Sequence, residues 1–236
     1  AERARVHEAL PEVLVPEWPA DPSSYAATLE AMHVFDAPST TWEDRQRHRM
    51  YTEEEARRRD QQEVGSLVDW LHTLDLKVSV EQAKGVNLKR AVQLLNKTNQ
   101  MNLSTRRLNE REWGEWFEQS NSEAWVFRVE DRFGDSGLTG LLGLEAEIGG
   151  GRVVDFVLSC RVMGRGVEEA LIYYAVQRAR ALNWHALRAE YLPTKKNKPC
   201  LDFLNRVLAP VEDNAHLFLW EVECDFPLPD YVQLQG

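Results

Sequence analysis

The 236-residue chain is 43% hydrophobic and 28% charged, the balance of an ordinary globular protein, which excludes fibrous and disordered classes. Its 28 Lys+Arg against 38 Asp+Glu leave a net charge of −10, whereas a general nucleic-acid binder needs a positive contact face. No apolar run approaches the roughly 20 residues that span a bilayer, and the first ten residues lack the apolar core of a signal peptide, so the expectation is a cytoplasmic protein without a membrane partner.

After a short apolar stretch at 11–16, Asp21-Pro22 supplies a cap and a first-turn proline for a helix running to about Ala31. Thr40-Thr41-Trp42-Glu43 is a capping box ahead of a very charged run that ends near Asp60. With few apolar positions, that run reads as a solvated helix bridging two bodies, the alternative being a binding role for its arginines. Residues 64–74 carry Leu67, Val68, Leu71 and Leu74 at helical spacing. Composition changes near residue 75, which sets the expected boundary between a helical segment over 1–74 and a mixed domain over 75–236. In the latter, 76–80 alternates as a strand, 88–95 has helical spacing, and a helix over 109–119 carries the apolar stripe Trp113, Trp116 and Phe117. Residues 124–131, 138–148 and 152–159 read as strands, with Gly149-Gly150-Gly151 turning between the last two. A helix over 167–182, a strand at 186–191, a short helix after the prolines of the next loop and a strand at 216–222 complete the pattern.

Chemistry concentrates where the third of those strands passes through Ser159-Cys160-Arg161-Val162-Met163-Gly164-Arg165-Gly166 into a helix. Unpaired amides and the positive end of a helix dipole form an anion site, and glycines let a phosphate approach the backbone. Gly164 and Gly166 would hold it, with Arg161 and Arg165 adding charge-assisted contacts. The spacing Arg161-x-x-Gly164-x-Gly166 resembles the signature with which GNAT acyltransferases cradle the pyrophosphate of acyl-CoA. That resemblance implies an α/β (α+β) fold: a GNAT-like mixed, mainly antiparallel sheet flanked by helices, preceded here by the N-terminal helical segment. Cys160 is the candidate nucleophile, since a thiolate accepts an acyl group and passes it to another thiol at little free-energy cost. Its alternative is a small buried residue at a strand end. Cys200 and Cys224 lack a comparable cationic neighbourhood and read as structural. The three cysteines have unrelated spacings, which predicts neither a disulfide framework nor a metal site. Asp135 and Glu190 are the general-base candidates, against turn and solvated-edge roles. Lys195, Lys196 and Lys198, with Arg188 nearby, form a local basic cluster suited to an acidic partner.

Four ordered blocks resemble the FkbH-like proteins of polyketide biosynthesis: residues 95–107 (LNKTNQMNLSTRR), 131–137 (DRFGDSG), 158–165 (LSCRVMGR) and 190–197 (EYLPTKKN). The resemblance implies an enzyme that takes a glyceryl unit from 1,3-bisphosphoglycerate, an acyl phosphate, and leaves it as a thioester on an acyl carrier protein. No cofactor is then bound permanently. The acceptor is the phosphopantetheine arm of the carrier, or CoA in an ordinary GNAT enzyme. Asn99, Gln100 and Asn102 would bind glyceryl hydroxyls, Lys97, Arg106 or Arg107 would meet its phosphate, and Thr194 and Asn197 of the last block would complete substrate binding. The opening residues resemble the end of the family's phosphatase domain, but the Asp-x-Asp nucleophile motif expected upstream is absent from these 236 residues. A CoA-dependent N-acyltransferase and a non-catalytic docking module are the other readings.

Overall fold

The computed structural model describes residues 2–11, 13–34 and 46–236, so the capping box at 40–43 lies outside the described residues. The chain divides into two compact units, Ala1–Thr40 and Thr41–Gly236. The division therefore falls well before residue 75. The first unit contains α1 (Glu2–Ala9), a 3-10 turn at Pro22–Ser24 and α2 (Tyr25–Ala31). Asp21 caps the turn as expected, accepting from the Ser23 amide at 3.0 Å, with proline in the first turn.

The second unit runs α3 (Arg47–Glu63), α4 (Leu67–His72), β1 (Leu76–Gln82), α5 (Leu88–Lys97), β2 (Met101–Asn102), α6 (Glu110–Phe117), β3 (Ser122–Asp131), β4 (Gly134–Glu147), β5 (Gly150–Leu158), α7 (Val167–Ala181), β6 (Ala186–Glu190), α8 (Lys198–Val207), β7 (Pro210–Val211), β8 (Asn214–Glu221) and β9 (Val232–Gln235). Its strands form one sheet in the order β7-β8-β6-β5-β4-β3-β1-β9, with β2 attached to β5. Only β5·β6 and β1·β9 are parallel. The expected class is the observed one: a mixed, mainly antiparallel sheet flanked by helices.

Strands β3 to β5 are apolar almost throughout because both sheet faces are covered. Trp125, Phe127, Phe156 and Leu158 pack on one face with Leu171, Ile172 and Val176 of α7. Val126, Leu141, Val154 and Val157 pack on the other with Val92 and Leu95 of α5 and Trp113 and Trp116 of α6. Period-two alternation thus sorts one strand into two cores. At the start of β5, a Cβ on Gly151 would lie 2.0 Å from the Trp184 ring, so the small residue is what lets the loop ahead of β6 close on the sheet.

The charged run folds as α3, but it is not a solvated bridge. Met50, Glu53 and Arg57 are buried, and the Arg57 guanidinium grips Asp131 at the end of β3 with bonds of 2.7 and 2.9 Å. Arg165, also buried, reaches the same carboxylate at 3.3 Å and Glu54 of α3 at 2.8 Å. Polar residues hold this helix down, which is why hydropathy missed it.

Substituting Asp131→Asn leaves two buried guanidiniums short of their counter-charge. Losing one partner of a buried ion cluster typically costs about 3–5 kcal/mol. Urea unfolding should show a loss of that order, whereas Glu55→Gln, on the exposed pair with Arg59, should change the midpoint little.

Candidate functional site

A cavity of about 780 Å³ lies where α3, the C-terminal end of α5 and the start of the 160–166 loop meet. Cys160, the first residue of a 3-10 turn, is exposed and lines it. Among the described residues, Arg58, Arg90, Lys97, Arg161 and Lys196 line it with two carboxylates, Glu54 and Glu55. Asn99, Gln100, Thr98 and Ser159 add uncharged donors and acceptors. Such a lining suits a small anion that also carries hydroxyl groups.

Of the residues expected from sequence, Cys160, Arg161, Asn99 and Gln100 meet in this cavity. Asn99 Oδ1 is held by Arg107 Nη2 at 2.7 Å, which fixes its orientation. The other expected residues have different work. Asn102 is fully buried, donates to the Thr98 carbonyl at 3.0 Å and accepts from the Thr105 amide at 2.8 Å. Asn197, also fully buried, accepts from Tyr191 Oη, the Thr194 amide and Thr194 Oγ1, and donates to the Asn102 and Leu192 carbonyls. Thr194 is thereby closed into its own turn. These amides and the hydroxyl are engaged in hydrogen bonds within the fold, and none of them lines the cavity.

Arg106 is likewise committed, to the fully buried Asp155 at 2.8 Å and to the Trp116 ring at 4.3 Å. Burial pushes the Asp155 carboxyl up and Arg106 opposes it. Asp135 makes a turn, accepting from the Gly137 amide at 2.7 Å, and pairs with Arg128 at 2.9 Å in a separate recess beside Lys77 and Glu130. Glu190 stands at the exposed end of β6, away from the cavity lining. Neither lines the cavity that holds Cys160.

The glycine turn also departs from the expectation. Gly164 and Gly166 have the positive φ of 76° and 79° that the turn requires. The Gly164 amide, however, donates to Glu168 Oε1 at 2.7 Å, and Arg165 is bound to α3 and Asp131. A Cβ on Gly166 would lie 2.8 Å from the Tyr231 ring, so an aromatic side chain covers the start of α7. The residues of this turn do not fit a pyrophosphate. Of the four expected anion ligands only Arg161 remains at the cavity, where its guanidinium also contacts the Met50 sulfur.

Sequence reading did not single out Tyr51, Glu54, Glu55, Arg58, Arg90, Gln93 or Ser159. Met50, Glu54 and Arg58 recur at four-residue intervals, a stripe visible only when polar side chains are admitted as packing residues. Lys196 belongs to the cavity, whereas Lys198 pairs with Asp202 at 3.3 Å and Arg188 with Glu147 at 2.9 Å, so the basic cluster does not act as one patch. Among the described residues, no three His, Cys, Asp or Glu side chains gather as a metal site requires, and no helix is long and apolar enough to cross a membrane.

No family model and no curated protein matches the chain. Among solved structures it is similar to a domain from Methanocaldococcus jannaschii, at 8% identity and a TM-score of 0.47 over 62% of this chain and 99% of that one. It is also similar to the ribosomal-protein-S18-alanine N-acetyltransferase of Escherichia coli, at 8% identity and 0.45 over 61% and 94%. A spermidine/spermine N-acetyltransferase of Vibrio cholerae matches at 14% identity and 0.42 over 65% and 95%.

Two measurements check this geometry. Burial pushes the Cys200 thiol up to about 12, so iodoacetamide at mildly alkaline pH should modify Cys160 and Cys224 and spare Cys200, as read by peptide mass spectrometry. Burial also raises the Glu168 carboxyl above its ordinary 4.5, against the opposing hydrogen bond from Gly164. A carboxyl whose folded pKa exceeds its unfolded value binds more protons in the fold, so its ionisation costs nothing below 4.5 and progressively more as pH rises from there through the folded value. Glu168→Gln keeps an acceptor for Gly164 without the charge. Its stability relative to the parent should therefore increase across that window, by denaturant melts at a series of pH values.

Proposed function

We propose that this chain transfers an acyl group from an acyl phosphate, through a thioester on Cys160, to the thiol of a phosphopantetheine arm on an acyl carrier protein. Glyceryl from 1,3-bisphosphoglycerate is the acyl unit that the FkbH-like resemblance implies. The observation that carries the reading is an exposed cysteine in a cavity lined by Arg58, Arg90, Lys97, Arg161 and Lys196.

The chemistry follows from that lining. The cations hold the phosphate of the donor, while Asn99 and Gln100 offer hydrogen bonds to hydroxyls on the acyl chain. The Cys160 thiol loses its proton to water at the open cavity, and its sulfur attacks the acyl carbon. A C–S bond forms, the bond from the acyl carbon to the bridging oxygen breaks, and phosphate departs with that oxygen, its charge matched by the same cations. The carrier's thiolate then attacks the thioester and Cys160 leaves as thiolate, so one thioester replaces another. An acyl phosphate lies uphill of a thioester, and no further energy source is needed.

Intact-protein mass spectrometry after exposure to an acyl phosphate tests the first step. Cys160→Ala should give no adduct and no carrier loading, while Cys224→Ala should retain both. Lys97→Ala should raise the KM for the donor about tenfold, the equivalent of one charge-assisted contact, with a smaller effect on kcat. Normal loading of the carrier by Cys160→Ala would remove the thioester from the mechanism.

A further inference from the structure

We infer that neither CoA nor a pantetheine arm enters this sheet between β5 and β6, because the chain's own backbone occupies the strand edge such an arm would use and Glu168 occupies the turn that would take its phosphate. The thiol that meets Cys160 must then arrive through the mouth of the Cys160 cavity.

The sheet has an opening at this point. β5 and β6 pair only from Gly150↔Ala186 to Val153↔Ala189, after which the backbone edge of β5 is left without β6 as far as Leu158. A pantetheine arm is an extended chain bearing amides, and it would bind that edge as an added strand does. In this chain the edge is already paired. β2 lies antiparallel along it with Met101↔Leu158 and Asn102↔Val157, and the Leu103 amide donates to the Phe156 carbonyl at 3.1 Å. On its far side the same segment accepts from the Leu192 amide through the Leu103 carbonyl at 3.0 Å, and Asn197 Nδ2 donates to the Asn102 carbonyl at 2.9 Å. The segment therefore spans the opening from β5 to the chain that follows β6. Met101, Asn102 and Leu103 are no more than 2% exposed, so this is core and not a lid.

The turn at the end of β5 is filled in the same sense. Glu168 is 3% exposed, takes the Gly164 amide with one carboxyl oxygen and keeps the other buried without a hydrogen-bond partner among the described residues. Tyr231 lies against Gly166. An incoming phosphate would have to displace the acid, move the ring and detach Arg165 from Glu54 and Asp131. These features lie in β5, the segment paired with it and the groups that fill its turn, and none involves the Cys160 thiol, so the inference stands whether or not Cys160 is acylated.

Amide-resolved hydrogen exchange on the whole chain, with and without millimolar CoA, tests it. The Leu103 and Gly164 amides should exchange slowly in the free chain and should not respond to CoA. A CoA response confined to the segments carrying Asn99, Gln100 and Cys160 also supports the inference, since the arm then sits in the cavity. Exchange at Leu103 and Gly164 that is fast in the free chain, or that changes when CoA is added, would overturn it. Acylation of Cys160 is followed separately by mass, so failure of the covalent mechanism and failure of this inference give different results.

Discussion

The Asp131 carboxylate organises the part of the molecule that surrounds the cavity. Its side chain is 1% exposed and receives Arg57 from α3, Arg165 from the loop after β5, and the Phe133 and Gly134 amides of its own turn. Three parts of the chain that share no apolar contact pattern in sequence are thereby fixed to one another. The cluster joins the bonds of Asp60 to Trp70 and Arg132 in anchoring α3, and so helps to hold the cavity wall that carries Tyr51, Glu54 and Arg58. The cost of desolvating these charges is offset only because every member has a partner.

The same cluster explains where sequence reading succeeds and where it stops. β1, β3, β4, β5, α5, α6 and α7 are legible because burial is enforced by apolar side chains at periods of two or about 3.6, and Trp113 and Trp116 fall on the buried face as their spacing requires. α3 is legible as a helix but not as a packed one, since Arg57 and Glu53 look like solvent-facing residues until their partners are known. β2 and β9 are too short to carry a periodic signal, and each depends on a neighbour far away in sequence. An amide-rich stretch such as 96–102 reads equally well as a binding loop or as a segment that satisfies its own backbone. Asn99 remains at the cavity, while Asn102 is spent on the Thr98 carbonyl and the Thr105 amide.

The glycine turn is instructive for a related reason. Spacing identifies the backbone conformation correctly, because Gly164 and Gly166 must adopt positive φ whatever the turn binds. It says nothing about which anion fills the turn. Here the occupant is two residues beyond Gly166, in the first turn of the helix, where an acid is favoured by the helix dipole. The other side of the same loop carries Cys160, which opens onto cations contributed by α3, α5 and the loop ahead of α8.

The pairing of β9 with β1 has a consequence for biosynthesis. The first strand of the sheet finds one of its two neighbours only in residues 232–235, and it meets the other, β3, across the intervening α5, β2 and α6. Contacts that join such distant parts of a chain close large loops and fold slowly. As the chain leaves the ribosome, β1 therefore presents an unpaired hydrogen-bonding edge until almost the whole unit has been made, with the aggregation hazard of any open strand edge. The half-buried Lys77 and the exposed Glu81 on that strand place charges along the waiting edge, the same device that finished sheets use to discourage pairing with strangers.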